Sequence, residues 1–461
     1  MHQEPKMNPV AKTNPKEPEF LSWAKTPPMG WNSWDCFATT VNESQARFAA
    51  DYMAEHLKAH GWEYVVVDIQ WYEPGAADFG YKAGAELAMD DYGRLQPAEN
   101  RFPSSSENLG FGPLAAYVHS KGLKFGVHLM RGIPRKAVER NLPVFGTPYR
   151  ASDIADVTRP CAWNPDMWGV NMKKPGAQEY YDSVFELLAQ WGVDYVKVDD
   201  IARPYHENIP EIEAVRWSID RTGRAIVLSL SPGETAISAA DHVRRHANLW
   251  RISDDFWDSY GSLYDQFARL EKWNEVRCEG AWPDADMLPL GVLSMGTRKS
   301  NFTRDEAESL MTLWCISRSP LMFGGDLSKM DDETLRLLTN DEALRLNRSS
   351  ADNKPLSTEA PWKAWMADDS ETASKKYLAV FHAPEPTPLE REQSKAYGSN
   401  VKIETVGGAS ESLEFLFDTS VIGQQGARIA TDLWTGEKIE VREARLLLKV
   451  RHHGTRLLRL E

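Results

Sequence analysis

The sequence predicts an α/β chain: a (β/α)8 TIM barrel followed by a small C-terminal antiparallel β-sandwich domain. Three observations carry that prediction. Eight short apolar stretches alternate with segments of helical period across residues 26–347. Several of those stretches end in charged residues, as the strands of a barrel do where they open to a ligand. Over residues 356–461 only short, evenly spaced strand-like runs remain, separated by turn residues. No glycine-rich phosphate turn follows the first strand, which favours a closed barrel over an open doubly wound sheet.

Taken in order, residues 1–25 are polar, rich in Pro, Lys and Asn and free of an apolar signal core, so a disordered lead-in is expected. Compartment is not readable from them, and a periplasmic or secreted location would require that a leader had been removed. The ordered part begins at Pro28-Met29-Gly30-Trp31-Asn32-Ser33-Trp34. Asn42-Glu43-Ser44-Gln45 has capping-box spacing, and Phe48, Tyr52, Met53 and Leu57 continue a helix towards Gly61. Strands follow at 63–68 and 124–130, with a helix around Leu114 and Val118 between them. Residues 132–174 read as one long irregular segment, a length that usually carries function. A helix carrying Tyr181, Val184, Phe185 and Leu188 then ends at Gly192, ahead of Tyr195-Val196-Lys197-Val198-Asp199-Asp200. Four further units pair helices at 210–222, 237–246, 260–275 and 304–317 with strands at 225–231, 248–255, 280–287 and 320–326, and a last helix covers about 331–346. Residues 347–355 read as a linker, and no helix is expected beyond them. The adjacent His452 and His453, placed on a strand, would face opposite ways and could not chelate a metal together.

Composition narrows the function. The formal net charge is −14 and no run of Lys or Arg occurs, which argues against nucleic acid or an anionic membrane surface as partner. No stretch approaches the ~18 apolar residues of a membrane span. Many of the 17 tryptophans sit beside Gly, Pro or Asp; flat apolar rings next to carboxylates suit sugars. Cys36, Cys161, Cys278 and Cys315 are scattered, so neither a zinc framework nor a disulfide scaffold is predicted.

The strand ends then supply Trp34, Asp68, His128 with Arg131, Lys197 with Asp199, Ser231, Arg251 with Asp255, and Asp286. Alternation along a strand puts Lys197 and Asp199 on one face and Asp200 on the other. The inventory holds no histidine pair spaced for a metal, no nucleophile elbow and no cofactor fingerprint, so neither metal nor organic cofactor is expected. Paired carboxylates in such surroundings point to glycoside hydrolysis. The residues by themselves leave Asp199 and Asp200, and Asp254 and Asp255, as open alternatives.

Thr26-Pro27-Pro28-Met29-Gly30-Trp31-Asn32-Ser33-Trp34, Tyr64-Val65-Val66-Val67-Asp68, Tyr195-Val196-Lys197-Val198-Asp199, Trp250-Arg251 with Asp255, Trp282-Pro283-Asp284-Ala285-Asp286-Met287-Leu288 and Ser319-Pro320-Leu321-Met322 form an ordered set. Together they resemble glycoside hydrolase family 27, the α-galactosidase and α-N-acetylgalactosaminidase family. The resemblance implies a retaining, exo-acting hydrolase of α-galactosidase type that works through a covalent glycosyl-aspartate. It implies Asp199 as nucleophile and Asp255 as general acid/base. Trp34, Asp68, His128, Lys197, Ser231, Arg251 and Asp286 are then expected to bind a carbohydrate substrate; oligomeric state is not readable.

The sequence departs from the family's pattern in three places. Asp68 is followed by Ile69 where a second aspartate is usual, His128 replaces a tyrosine, and Ser229-Leu230-Ser231-Pro232-Gly233 replaces a Glu or Cys-Glu region. A lost carboxylate removes charge-assisted hydrogen bonds of about 1.5–3 kcal/mol each. Three readings follow: an α-galactosidase, the same mechanism turned to β-L-arabinopyranosides or α-glucosidic sugars of the isomaltodextran type, and a carbohydrate-binding protein without turnover.

Overall fold

Eight parallel strands form the centre of the molecule: β1 (Met29–Asn32), β2 (Tyr64–Val67), β3 (Lys124–Met130), β4 (Tyr195–Asp199), β5 (Val227–Leu230), β6 (Leu249–Arg251), β7 (Trp282–Asp284) and β8 (Leu321–Phe323). This computed structural model describes residues 18–372, 374–395 and 412–461. β1 to β7 pair in sequence order, and β8 pairs with β1. The ring closes where Leu288, just past β7, bridges Phe323: Leu288 N–H donates to Met322 at 2.8 Å and Gly324 N–H to Leu288 at 3.0 Å. The eight strands expected from the sequence are therefore present as a barrel.

Strand alternation sorts the side chains. Val65, Val67, Val196 and Val198 face the surrounding helices as part of the main core. Tyr64, Val66, Tyr195, Val227, Leu249 and Met322 fill the barrel interior, with the Tyr64 and Tyr195 rings 5.3 Å apart. Continuing the inward set along each strand brings Asp68, Lys197, Asp199 and Arg251 to the C-terminal mouth. Fully burying one such aliphatic side chain is worth roughly 1.5–3 kcal/mol, so the interior layer holds the charged layer above it in register.

The outer helices include α1 (Glu43–Tyr52), α2 (Gly112–Ser120), α3 (Ala177–Gln190), α4 (Tyr205–Thr222), α5 (Ala240–Val243), α6 (Tyr260–Trp273), α7 (Arg304–Ser317), α8 (Asp332–Leu338) and α9 (Asp341–Ser349). The expected capping box forms: Gln45 N–H donates to Asn42 Oδ1 at 3.1 Å and Asn42 N–H to Gln45 Oε1 at 3.0 Å. Gly192, at φ +83°, takes the left-handed turn that lets the chain leave α3 for β4. α4 begins five residues before the expected start and carries Pro210 as its sixth residue, where the missing N–H leaves the carbonyl one turn earlier without its helical donor.

Several expectations need correction. Residues 132–174 are not irregular: Ile133–Pro134, Met167–Val170 and Ala155–Pro160 form a three-stranded sheet with two short helices, Arg135–Glu139 and Ala151–Ile154. Turn-rich composition concealed strands this short. Of the expected lead-in, residues 1–17 lie outside the described residues, while Glu19–Ala24 form a 3-10 helix. That helix is pinned to the barrel's lower end by Trp282 Nε1 donating to Ala24 at 2.8 Å and Asn248 Nδ2 to Phe20 at 2.9 Å. Residues 347–355 are not a loose connection, since α9 runs to Ser349 and the strand Ser350–Ser357 follows directly.

That strand opens a six-stranded antiparallel sheet with Trp362–Asp369, Lys376–His382, Thr455–Leu460, Ile429–Asp432 and Lys438–Glu440. Ser412–Asp418 and Arg445–Arg451 form a second, two-stranded sheet that packs Phe417, Leu446, Leu448 and Val450 against Leu378, Val380, Leu458 and Leu460. This is the expected C-terminal β-sandwich, with one unexpected helix, Pro388–Gln393, begun by a Thr387–Glu390 capping box. His452 and His453 lie in the turn after Arg451 rather than on a strand, so their rings stack 3.9 Å apart instead of facing opposite ways. His453 Nδ1 meets Glu306 Oε1 of α7 at 2.8 Å, and Trp434 Nε1 donates to Thr312 Oγ1 at 2.8 Å, joining the sandwich to the barrel. Cys36, Cys161 and Cys315 are buried free thiols. No helix among the described residues is long and apolar enough to cross a membrane.

Candidate active site

The mouth of the barrel holds a cavity of about 340 Å³ walled by Trp34, Asp68, Ile69, Phe79, Tyr81, Trp163, Lys197, Asp199, Arg203, Pro232, Asp254 and Asp255. Five of the nine site residues expected from the sequence, Trp34, Asp68, Lys197, Asp199 and Asp255, line it directly. His128, Arg251 and Asp286 stand behind the wall as partners of those five. Ser231 is buried at the end of β5, and its hydroxyl contacts none of them.

Asp68 and Lys197 form one unit. Lys197 Nζ and Asn32 Nδ2 donate to Asp68 Oδ2 at 3.0 and 2.8 Å, and the Ile69 N–H donates to Oδ1 at 2.8 Å. Burial by itself raises the Asp68 carboxyl, but the Lys197 charge, then His128, and the Asn32 hydrogen bond hold it below the usual carboxylate range. Burial likewise opposes the Lys197 ammonium, and Asp68 and Asp199 outweigh it, so the lysine stays charged.

Asp199 forms the second unit. His128, fully buried, brings Nε2 to 3.0 Å from Asp199 Oδ2, and the Asp200 N–H donates to Oδ1 at 2.9 Å. Burial pushes the Asp199 carboxyl up; the His128 hydrogen bond and charge, followed by Lys197, more than offset this and leave it lowered. The sequence pairs Lys197 with Asp199 by spacing, whereas the structure gives Lys197 to Asp68 and His128 to Asp199. Asp200 points away and is held by Arg131 at 2.7 Å, which separates the two adjacent aspartates.

Asp255 stands across the mouth. Arg251 Nη2 lies 3.3 Å from Asp255 Oδ1 and 2.7 Å from Asp286 Oδ2, and Asp286 Oδ2 also accepts the Phe256 N–H at 2.7 Å. The Asp255 side chain is 41% exposed, and that exposure opens on the crowded cavity. Removal from bulk water raises its carboxyl, Arg251 works against this, and the nearby Asp286 and Asp199 charges raise it further. Asp254, in the same cavity wall, pairs with Arg203 at 2.8 Å.

The two carboxyls therefore share one cavity in opposite conditions: Asp199 is held ionised and Asp255 is held towards its neutral form. Environments that push two carboxyls apart in this way suit a nucleophile and a proton donor. Phe79, Tyr81, Trp163 and Arg203 escaped the sequence reading. They arrive from loops between regular elements; Phe79 and Tyr81 carried the signal of aromatic residues beside Gly and Asp, whereas Trp163 and Arg203 carried none. Trp34 and Phe79 meet edge to face at 5.4 Å, and Tyr81 tilts against Trp163 at 5.5 Å.

Comparison with known proteins agrees with this geometry. The family model described as Alpha galactosidase A matches residues 26–138 and 153–349. A crystal structure of a GH27 β-L-arabinopyranosidase from Geobacillus stearothermophilus, in complex with arabinose, is 44% identical with a TM-score of 0.88; the match covers 96% of this chain and 99% of that one. Alpha-galactosidase A of Cellvibrio japonicus is 26% identical over 456 residues, covering 96% of this chain and 93% of the relative. Alpha-galactosidase 2 of Arabidopsis thaliana is 27% identical over 364 residues, covering 78% and 75%. The chain belongs to glycoside hydrolase family 27, the family of Alpha galactosidase A, and is a retaining O-glycosyl hydrolase.

Proposed function

We propose that the enzyme removes terminal β-L-arabinopyranosyl residues in preference to α-D-galactopyranosyl residues, with Asp199 as nucleophile and Asp255 as general acid/base. The single observation that carries the preference is Ile69. It is 2% exposed, stands in the cavity wall next to Asp68, and offers an alkyl group where the family's pattern has a second carboxylate. The next side chain, Gln70, is turned away to donate to the Asp166 carboxylate. The two sugars share their ring configuration and differ in the 6-hydroxymethyl group. A hydroxymethyl placed against Ile69 loses its water without gaining a partner, whereas a pyranose lacking it loses nothing. The 44% identity to a β-L-arabinopyranosidase supports the same choice.

The chemistry follows from the charges. Asp68 and Lys197 grip sugar hydroxyls, and Trp34 offers an apolar face to the ring's C–H groups. Asp255 gives its proton to the glycosidic oxygen as Asp199 attacks the anomeric carbon from the opposite face, which leaves a glycosyl-Asp199 ester. Asp199 is then neutral. Because its charge is one of the influences raising Asp255, the loss of that charge lowers Asp255 and turns it into the base that deprotonates the incoming water. Two inversions at the anomeric carbon give net retention. Residues 26–347 are assigned to catalysis, and 356–461 to a unit that braces the barrel.

The test is kcat/KM on p-nitrophenyl β-L-arabinopyranoside and on p-nitrophenyl α-D-galactopyranoside. The expected ratio favours the arabinoside by roughly 10-fold or more, the scale of discrimination a pocket achieves over one small substituent. In Ile69→Asp the ratio moves towards the galactoside. A wild-type preference for the galactoside would overturn the assignment.

A further inference from the structure

We infer that Glu213, His242 and His246 form a binding site for a divalent transition-metal ion of the zinc type on the outside of the barrel, where α4 meets α5 and the turn that follows it. Each offers one ligand atom, and the three atoms lie within 4.8 Å of one another. The donor set, two imidazole nitrogens and a carboxylate oxygen, matches a borderline cation and not magnesium or calcium.

The two histidines are four residues apart, so a helical turn stacks them on one face. Their other ring nitrogens are already committed, as in metal sites whose ligands are oriented by outer partners. His246 Nδ1 lies 2.7 Å from the His242 carbonyl; only an N–H bonds a carbonyl, so the lone pair sits on Nε2. His242 Nδ1 meets the hydroxyl of the buried Tyr205 at 2.8 Å, which leaves His242 Nε2 facing Glu213 Oε1 at 3.3 Å. The rings stack 4.0 Å apart at 15°, and binding tilts them out of the stack so that their lone pairs converge on the ion.

Access and charge permit this. Glu213 and His246 lie in the wall of an open cavity of about 520 Å³. Arg216 and Arg245 share that wall and oppose a cation, but Arg216 is neutralised by Asp220 at 2.7 Å and lies over the Phe20 and Trp23 rings. The ion would fasten α4 to α5 and the turn that follows it. The loops leading into these elements carry Arg203 and Pro232 to the active-site cavity, so the site braces that wall from behind without touching the substrate.

The test is calorimetric titration of the chelator-treated, dialysed full-length protein with zinc sulfate, with magnesium chloride as control. One saturable zinc site per chain is expected, with none for magnesium. Addition of cobalt(II) should give visible absorption bands of a low-symmetry nitrogen and oxygen site. The exposed Glu213→Gln keeps the fold and should weaken zinc at least tenfold, while His246→Ala should abolish the site and its cobalt bands; both should keep wild-type kcat/KM without metal. Absence of saturable zinc binding would overturn the proposal, as would binding that persists unchanged in both variants.

Discussion

Replacing His128 with phenylalanine removes the side-chain donor that, among the described residues, holds Asp199 Oδ2 at 3.0 Å, and keeps a ring to fill the buried site. A hydrogen bond to a charged group is worth about 1.5–3 kcal/mol, and about 1.4 kcal/mol corresponds to one pH unit. The Asp199 carboxyl is lowered because the His128 hydrogen bond, the His128 charge and Lys197 together outweigh burial, so losing His128 lets burial act and the carboxyl rises. Asp199 must be ionised to attack, so the acid limb of kcat/KM marks its protonation in the free enzyme. In His128→Phe that limb should move to higher pH by about 1–2 units. His128→Gln, which keeps an N–H donor, should fall between the two. The assay is kcat/KM against pH on an activated aryl glycoside, with circular dichroism at each pH to separate inhibition from unfolding. An acid limb unmoved in His128→Phe would refute the argument and would assign the ionisation of Asp199 to Lys197.

The remaining predictions address the rest of the site and the fold. Asp286 raises Asp255 and occupies the Arg251 guanidinium, so Asp286→Asn should lower the Asp255 carboxyl and shift the alkaline limb of kcat/KM to lower pH; a shift upward would contradict this. Asp255→Ala should lose about 10²–10⁴-fold on alkyl glycosides and far less on dinitrophenyl glycosides, because only the former need a proton on the leaving oxygen; equal losses would remove the acid role. Leu228→Ala, at a fully buried position of β5, should destabilise the protein by about 2–5 kcal/mol in denaturant unfolding, and a smaller loss would mean the barrel wall collapses onto the gap.

The sequence made the barrel legible because strands such as Tyr64–Val67 are continuous apolar runs buried on both faces, with helical periodicity between them. The antiparallel sandwich was legible through its short alternating runs, such as Leu446-Leu447-Leu448-Lys449-Val450. What it hid were elements too short to show a period: the three-stranded sheet within residues 132–174, the Glu19–Ala24 turn and the Pro388–Gln393 helix. At the site, alternation put Lys197 and Asp199 on one face, and the structure keeps them there. Spacing along one strand could not show that Lys197 would pair across the barrel with Asp68, or that His128 on β3 would turn to Asp199 and not to the cavity. Those partnerships depend on which strand lies beside which. Tyr81 and Trp163 depend on loops, whose paths leave no periodic trace in the chain.

Trapping the glycosyl-enzyme intermediate tests the role of Asp199 most directly. The enzyme is incubated with a 2-deoxy-2-fluoro glycosyl fluoride of the preferred sugar, which slows breakdown of the glycosyl-enzyme more than its formation, and its intact mass and peptides are measured. A single added glycosyl group is expected on the peptide that contains Tyr195–Asp199, located on Asp199 and absent from Asp199→Ala. A label on Asp200, Asp255 or any other residue, or turnover at the wild-type rate by Asp199→Ala, would contradict it.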